Sequence, residues 1–215
     1  MKARYAIMLD GGYVTKILNA RKRQAGNDTF TTAEDVQAEC RRIQESPAVQ
    51  DYELLRVYYY DAPPLSIAVN HPVSSAIWKL AKTERYKHAQ SLYDKLKVMP
   101  NFALRLGETN LGDNRWLLKE RSRKEIVKTS RALEDNDFEL NVEQKGVDMR
   151  IGMDIARLAL REMVRAIVIV TRDRDFIPAF KFARREGVRI ILDPLGHAAP
   201  LGLQEHADLI IGASD

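Results

Sequence analysis

The sequence predicts one α/β domain of three layers, in which helices cover both faces of a mainly parallel central sheet. Two observations predict this α/β/α sandwich: continuous apolar runs recur along the chain, and helical patterns separate them. Such runs are typical of strands buried on both faces. Strands that alternate with helices imply right-handed βαβ crossovers. The chain has 215 residues, of which 45% are hydrophobic, and this is enough for one core.

Apolar runs predict the strands in chain order. Four long runs give the principal strands, and two weaker runs give further candidates. The principal strands are 5–9, 54–60, 166–170 and 188–192, and the candidates are 102–106 and 208–212.

Capping signals and apolar periodicity predict four helices. The TTAE motif at 31–34 is a capping box that opens a helix to about residue 45. Pro72 suits the first turn of a long helix that ends at about residue 98. The other two helices span 148–163 and 176–186, and Gly187 follows the last of them in the C′ position.

The connection from about 107 to 137 reads as a charged, partly helical insertion within a single domain spanning 1–215. Residues 115–131 contain seven Lys or Arg and two Glu, although the whole chain has a net charge of only +4. A local basic patch favours a polyanionic partner such as nucleic acid. A solvated helix face is the alternative interpretation.

Composition argues against several classes of protein. The longest uncharged apolar runs have about six residues, far fewer than the roughly 20 that cross a bilayer. Asp10 interrupts what would be the apolar region of a signal peptide. Cys40 is the only cysteine, so neither an internal disulfide nor a typical zinc site is expected. We therefore expect a cytoplasmic protein without a membrane partner, and the sequence leaves a homo-oligomer or a protein partner open.

Aspartates stand at the ends of predicted strands and at the start of a predicted helix. Asp10 ends the first strand, Asp173 and Asp175 follow the strand at 166–170, and Asp148 opens a helix. In an open α/β sheet, ligands bind at the carboxyl ends of the strands. Four carboxylates there would repel one another unless a cation lay among them, and oxygen ligands suit Mg²⁺ or Mn²⁺.

Other interpretations stay open for individual aspartates. Asp148 and Asp175 could each be a plain helix N-cap. Asp61 and Asp193 end strands but precede proline turns, which explain them better. Asp154 reads either as a supporting group behind the carboxylates or as a core hydrogen-bonding residue.

Rival chemistries lack their motifs. The sequence contains no GxxxxGK[ST] loop, no GxGxxG after the first strand and no GxSxG. Asp10 could resemble the nucleophile of a haloacid dehalogenase-type phosphatase, but Gly12 stands where that family has a second aspartate.

Three motifs in order resemble those of NYN domains, a branch of the PIN-like nucleases. That family has a first strand ending in Asp-Gly, a Lys-Gly-Val-Asp helix start, and a later Ser-Gly-Asp-x-Asp-Phe before a proline. The corresponding stretches here are LDGG at 9–12, KGVDMRIGMD at 145–154 and TRDRDFIP at 171–178. Tyr13 and Arg172 depart from the family pattern, because Asn and Gly are usual there.

The resemblance implies a PIN-like sheet of the Rossmann- or flavodoxin-like type and a ribonuclease that hydrolyses RNA phosphodiester bonds. It implies that Mg²⁺ or Mn²⁺ is held by four catalytic carboxylates: Asp10, Asp148, Asp173 and Asp175. The expected substrate is single-stranded RNA. Residues placed to contact it are Lys145, Thr171, Arg172, Arg121, Arg123 and Lys124.

Tyr13 could stack on a base or pack into the core. Two other functions stay open: a PIN-like RNA- or protein-binding module with weak or no catalysis, and a structure-specific DNA nuclease.

Overall fold

The computed structural model describes residues 2–26 and 30–212, and a six-stranded parallel sheet lies at its centre. Every adjacent pair of strands in this sheet is parallel. From one edge to the other, the strands are β10 (Leu209–Ile210), β9 (Arg189–Asp193), β8 (Ala166–Val170), β1 (Ala3–Asp10), β2 (Tyr52–Asp61) and β5 (Phe102–Leu106).

Helices cover both faces of the sheet. One face packs against α1 (Gly11–Gln24), α2 (Ala33–Gln44) and α3 (Glu84–Val98). The opposite face packs against α5 (Val147–Leu160), α6 (Ile177–Arg185) and α7 (Leu201–Gln204). Alternate strand residues serve the two cores, because successive side chains of a strand point to opposite faces. The predicted three-layer α/β fold with a mainly parallel sheet is confirmed.

Two antiparallel pairs lie outside the central sheet. β3 (Ala68–Asn70) and β4 (Ile77–Lys79) form a short hairpin. β6 (Glu108–Leu118) and β7 (Phe138–Lys145) form a longer pair, called the ribbon below, and α4 (Glu120–Thr129) connects its two strands. The segment predicted as a charged, partly helical insertion thus contains β6 and α4, and the chain rejoins the main fold only after β7.

The hairpin is fixed to the ribbon by aromatic side chains. The His71 ring stacks on Trp78 and on Trp116, with ring centroids 5.4 and 4.8 Å apart. The indole N–H of Trp116 donates to the Asn70 carbonyl at 3.0 Å. The Asp135 carboxylate accepts hydrogen bonds from the backbone of the turn at 73–74.

The long helix predicted from Pro72 is wrong over its first half. Residues 72–83 contain a turn, β4 and a short 3-10 segment, and α3 begins only at Glu84. Ser75 has φ +57°, which an α-helix does not accommodate, and Trp78 stacks on residues distant in sequence. The capping box also lies one residue later than predicted: Thr32 and Asp35 exchange the hydrogen bonds that start α2.

Across the described ranges, every helix is too short or too polar to traverse a lipid bilayer.

Candidate functional site

The carboxyl ends of three neighbouring strands define the site. In the register of the sheet, Asp10 of β1 lies beside Tyr60 of β2, and Leu9 lies beside Val170 of β8. The residues that follow these strand ends therefore emerge at the same edge, called the carboxyl edge below. Asp61 ends β2 there, and the turn beginning at Thr171 follows β8.

Asp10 is held at this edge by two hydrogen bonds. Its Oδ1 accepts from the Tyr13 backbone N–H at 3.1 Å, so Asp10 caps α1. Its Oδ2 accepts from the Thr171 hydroxyl at 2.9 Å, and Thr171 is fully buried. Burial raises the pKa of Asp10 most strongly, and the carboxylates of Asp148 and Asp173 add to the rise against those hydrogen bonds.

Gly11 lets α1 start directly at this strand end. A Cβ there would lie 2.5 Å from the Tyr60 carbonyl oxygen and 2.8 Å from the Tyr59 ring. Any other residue would therefore push α1 away from β2. Asp10 could then no longer both end the strand and cap the helix.

Thr171 also organises the turn that carries Asp173 and Asp175. Its Oγ1 accepts from the Asp173 N–H at 3.1 Å, and the Asp173 carboxylate accepts from the Asp175 N–H at 2.9 Å. Thr171 therefore joins two segments of the site through one hydroxyl. The side chains of Asp173 and Asp175 are exposed, and the turn leads directly into α6.

Asp148 reaches the same region from α5. It is the second residue of that helix, after Gly146, whose φ of +77° suits glycine. Burial raises the pKa of Asp148 first, and Asp173 and Asp175 add to the rise. The N-cap interpretation does not hold for Asp148 or Asp175, because α5 and α6 begin without a side-chain cap.

Asp61 is an acidic residue of this edge that the sequence assigned to a turn. Burial raises its pKa to about 6, and the Asp10 carboxylate adds to the rise, while the Ala62 N–H donates to it at 2.8 Å. No motif identified Asp61, because its position depends on the pairing of β1 with β2. Asp193 matches its structural interpretation: it is buried, pairs with Arg42 and accepts from the Leu195 N–H at 2.9 Å.

Asp154 stabilises the site indirectly, through hydrogen bonds to residues of the neighbouring strands. Its carboxylate accepts from the Tyr60 hydroxyl at 2.9 Å and from Arg105 Nε at 3.3 Å. Since Tyr60 is the strand neighbour of Asp10, Asp154 helps to fix the strand end on which the site is built.

The acidic residues fit a hard divalent cation in their chemistry, but their arrangement is not that of a formed coordination group. Within residues 2–26 and 30–212, no three His, Cys, Asp or Glu side chains are arranged to hold a metal ion. Carboxylate oxygens are the ligands that Mg²⁺ and Mn²⁺ prefer. Burial is the main cause of the raised pKa values of Asp10 and Asp148, and repulsion from neighbouring carboxylates adds to it; a cation would relieve that repulsion.

Thr171, also predicted to contact substrate, is fully buried, and its hydroxyl contacts Asp10 and Asp173 instead. The other five predicted substrate-contacting residues divide between two places. Lys145 and Arg172 lie near the carboxyl edge, at the end of β7 and beside Asp173; both are exposed, and Lys145 pairs with Glu143 at 3.2 Å. The other three are in α4, beyond the opposite end of the ribbon, and Glu120 pairs with two of them. They are Arg121, Arg123 and Lys124.

Tyr13 has the packing role that the sequence offered as an alternative to base stacking. Its hydroxyl donates to the Pro194 carbonyl at 2.6 Å, and its ring packs against the core. Burial raises the pKa of Tyr13 to about 12, and the positive charge of Arg172 opposes this rise.

A model of the NYN domain family matches residues 83–208, more than half of the chain. The chain therefore belongs to the NYN domain family, which is part of the PIN-like superfamily. The match includes Asp148, Asp173 and Asp175, whereas Asp10 lies before its first residue.

The chain is also similar to two proteins without an assigned function. It is 30% identical over 80 residues to uncharacterized protein MJ0482 of Methanocaldococcus jannaschii, across 37% of this chain and 33% of that protein. The chain thus spans about a third of that relative's length. A crystal structure of a protein of unknown function, VPA0982 from Vibrio parahaemolyticus RIMD 2210633, superposes with a TM-score of 0.50 at 16% identity. That likeness covers 100% of this chain and 94% of the other, and it concerns the fold alone.

Proposed function

We propose that this protein is a divalent-metal-dependent ribonuclease that hydrolyses RNA phosphodiester bonds at the carboxyl edge. Membership of the NYN family supports a nuclease-like fold. The observation that carries the proposal is the meeting of carboxylates from remote parts of the chain. The Thr171 hydroxyl contacts both the Asp10 carboxylate and the Asp173 backbone, and the charges of Asp148 and Asp173 add to the burial that raises the pKa of Asp10. A fold that gathers repelling carboxylates around one edge gains most from a bound cation.

Each acidic residue then has a role in binding the ion. Asp10, Asp148, Asp173 and Asp175 would hold Mg²⁺ or Mn²⁺. Such an ion, when bound, makes water a stronger nucleophile and stabilises the leaving oxygen. Thr171 keeps the Asp10 carboxylate and the Asp173 backbone in fixed relation through its hydroxyl. Lys145 and Arg172 would contact the phosphates on either side of the acidic group.

A binding module with little catalysis is the second candidate. It is favoured by the lack of a preformed metal group within the described ranges and by Arg172, which stands where the family has glycine. A nuclease acting on structured DNA is the third, because such enzymes share this architecture.

Purified protein and its Asp173→Asn variant, incubated with labelled single-stranded RNA and DNA in Mn²⁺ or EDTA, distinguish these functions. We expect the wild type to cut RNA only with Mn²⁺, and we expect the variant to lose this activity. The matched control is Asp94→Asn, which removes an exposed carboxylate of α3 and should cut like the wild type.

Equal cutting by the wild type and Asp173→Asn would identify a contaminating ribonuclease and contradict the proposal. RNA binding without cutting would support the binding module, and cutting of DNA alone would support the third candidate.

A further inference from the structure

A cleft of about 850 Å³ opens beside the carboxyl edge. Its walls are α1, α3, the hairpin and the ribbon. Gly12 and Asp61 belong both to this cleft and to the carboxyl edge, and a Cβ on Gly12 would lie 3.6 Å from Asp10 Oδ1. A ligand chain lying in the cleft would therefore continue directly onto the acidic residues.

Aromatic rings form two of the cleft walls. Trp78 of the hairpin is held by stacking on His71 and Trp116, and 39% of its surface stays exposed. Across the cleft, the rings of His88 and Phe30 are stacked 4.2 Å apart at 9°. Rings fixed in this way offer flat apolar surfaces to another flat ring at little conformational cost.

Positive charge lies next to these rings. Lys16 of α1 and Arg85 of α3 line the cleft and are exposed. Among the residues that the structure describes, neither side chain forms an ion pair with a carboxylate. Lys119 also lines the cleft, so three cations face two carboxylates, those of Asp61 and Glu139. Unpaired cations beside aromatic walls suit a phosphate chain that carries bases.

Thr109 adds an unused hydrogen-bonding group. It lies on the ribbon wall of the cleft, and its Oγ1 is buried without a hydrogen-bond partner among the residues that the structure describes. A buried hydroxyl without a partner costs free energy that a ligand can recover. The hydroxyl therefore offers a polar contact on the ribbon wall, which Phe138, Leu140 and Val142 also line.

We propose that this cleft binds an unpaired stretch of RNA and directs single-stranded substrate to the acidic residues. The substrate preference rests on the proposed function, although the cleft can be tested without cleavage. Its volume is within the range of about 300–1,000 Å³ that is usual for ligand sites. Bases within a duplex are already paired and stacked, so they cannot present their faces to Trp78 or His88.

Binding is measured by fluorescence anisotropy with the full chain carrying Asp173→Asn, so that cutting does not interfere. The probes are a short labelled RNA strand, the same strand annealed to its complement, and the DNA strand of the same sequence. We expect the single RNA strand to bind tightest. Adding Trp78→Leu or Arg85→Ala should weaken its binding about tenfold.

The salt dependence of binding separates the phosphate contact from a general charge effect. With Arg85→Ala, the plot of log affinity against log salt should become shallower by about 0.7, the value for one phosphate contact on a single strand. Lys87→Ala is the matched control: Lys87 is in the same helix, pairs with Glu84 at 2.7 Å and lies outside the cleft wall. It should leave affinity nearly unchanged.

Thr109→Val distinguishes a binding role from a structural one. The substitution removes the unpaired hydroxyl with little change of shape, so the unfolding midpoint should stay or rise. Affinity for the single RNA strand should fall several-fold. If Trp78→Leu does not fold, Arg85→Ala and Thr109→Val decide the question.

The two proposals fail in different ways. Unchanged binding in all three cleft variants, no binding at all, or equal binding of single and double strands would overturn the cleft proposal. If the wild type cuts RNA and the cleft variants bind it as the wild type does, the ribonuclease proposal stands and the cleft proposal is contradicted. If binding depends on the cleft residues but no cutting occurs, the cleft proposal stands and the ribonuclease proposal is contradicted.

Discussion

The central sheet and the ribbon are stabilised in different ways. All five residues of β8 are buried, and both faces of the sheet are covered by helices. The ribbon has mostly exposed or half-buried residues, and the rings of His71, Trp78 and Trp116 fasten it to the hairpin. The strand ends of the sheet, the turn after β8 and α5 supply the acidic residues, and the ribbon supplies a wall of the cleft. The positions of the acidic residues therefore depend on a densely packed core, whereas the position of the ribbon wall depends on a few aromatic contacts.

The largest expected effect is on the core. Phe180 is fully buried against the sheet, and Phe180→Ala should lower the free energy of unfolding by about 3–5 kcal/mol. Urea unfolding followed by circular dichroism measures this. The control is Ile77→Ala in the hairpin, where the side chain is 65% exposed and the change should stay within about 0.5 kcal/mol. Similar losses in both variants would mean that the two regions do not differ as described.

An intermediate effect is expected at the carboxyl edge, where the buried carboxylate of Asp61 destabilises the folded state when it is ionised. Because the pKa of Asp61 is raised to about 6, its stabilising contribution is complete below its unfolded pKa and disappears as pH rises through 6. Asn does not titrate, so Asp61→Asn should be more stable than the wild type at pH 7.5, by at most about 3 kcal/mol. The advantage should disappear near pH 4.

Thermal unfolding across this pH range tests the prediction. Asp94→Asn, which changes an exposed residue of α3, should show no such gain at pH 7.5. A flat difference between Asp61→Asn and the wild type from pH 4 to 7.5 would contradict it.

The smallest expected effect is local to the ribbon. Trp116→Ala removes the stacking on His71 and the hydrogen bond to Asn70, and it should lower the free energy of local opening by about 1 kcal/mol. Hydrogen exchange should quicken for amides of β6 and β7 and stay unchanged for β8. Trp116→Phe, which keeps a ring, should show a smaller change. Equal acceleration in β8 would mean that ribbon and sheet open as one unit.

The parts that could be predicted from sequence are those whose local pattern agrees with their burial. β8 reads as a strand because all five residues are apolar, and Asp173 and Asp175 follow it directly. By contrast, the sequence did not predict α1, because this helix begins with two glycines, which are poor helix formers. It forms because Asp10 caps it and because Val14, Ile17 and Leu18 pack against the sheet.

The hairpin and Asp61 escaped prediction because they depend on contacts between distant residues. Residues 77–79 form a strand whose Trp78 stacks on Trp116, and no local pattern contains that pairing. Asp61 belongs to the acidic group only because β2 lies beside β1. The metal site stays a prediction: the sequence named its four carboxylates, and the structure adds that neighbouring carboxylates contribute to the raised pKa of Asp10 and of Asp148.

The ribbon leaves and re-enters the main fold through neighbouring positions. Glu108 pairs with Lys145, and a Cβ on Gly107 would lie 2.5 Å from the Lys145 carbonyl oxygen. Because the two ends already touch, the intervening 36 residues add little closure entropy to the core whatever their length. The ribbon can thus be replaced by another segment at this junction, in evolution or by design, while the acidic residues keep their positions.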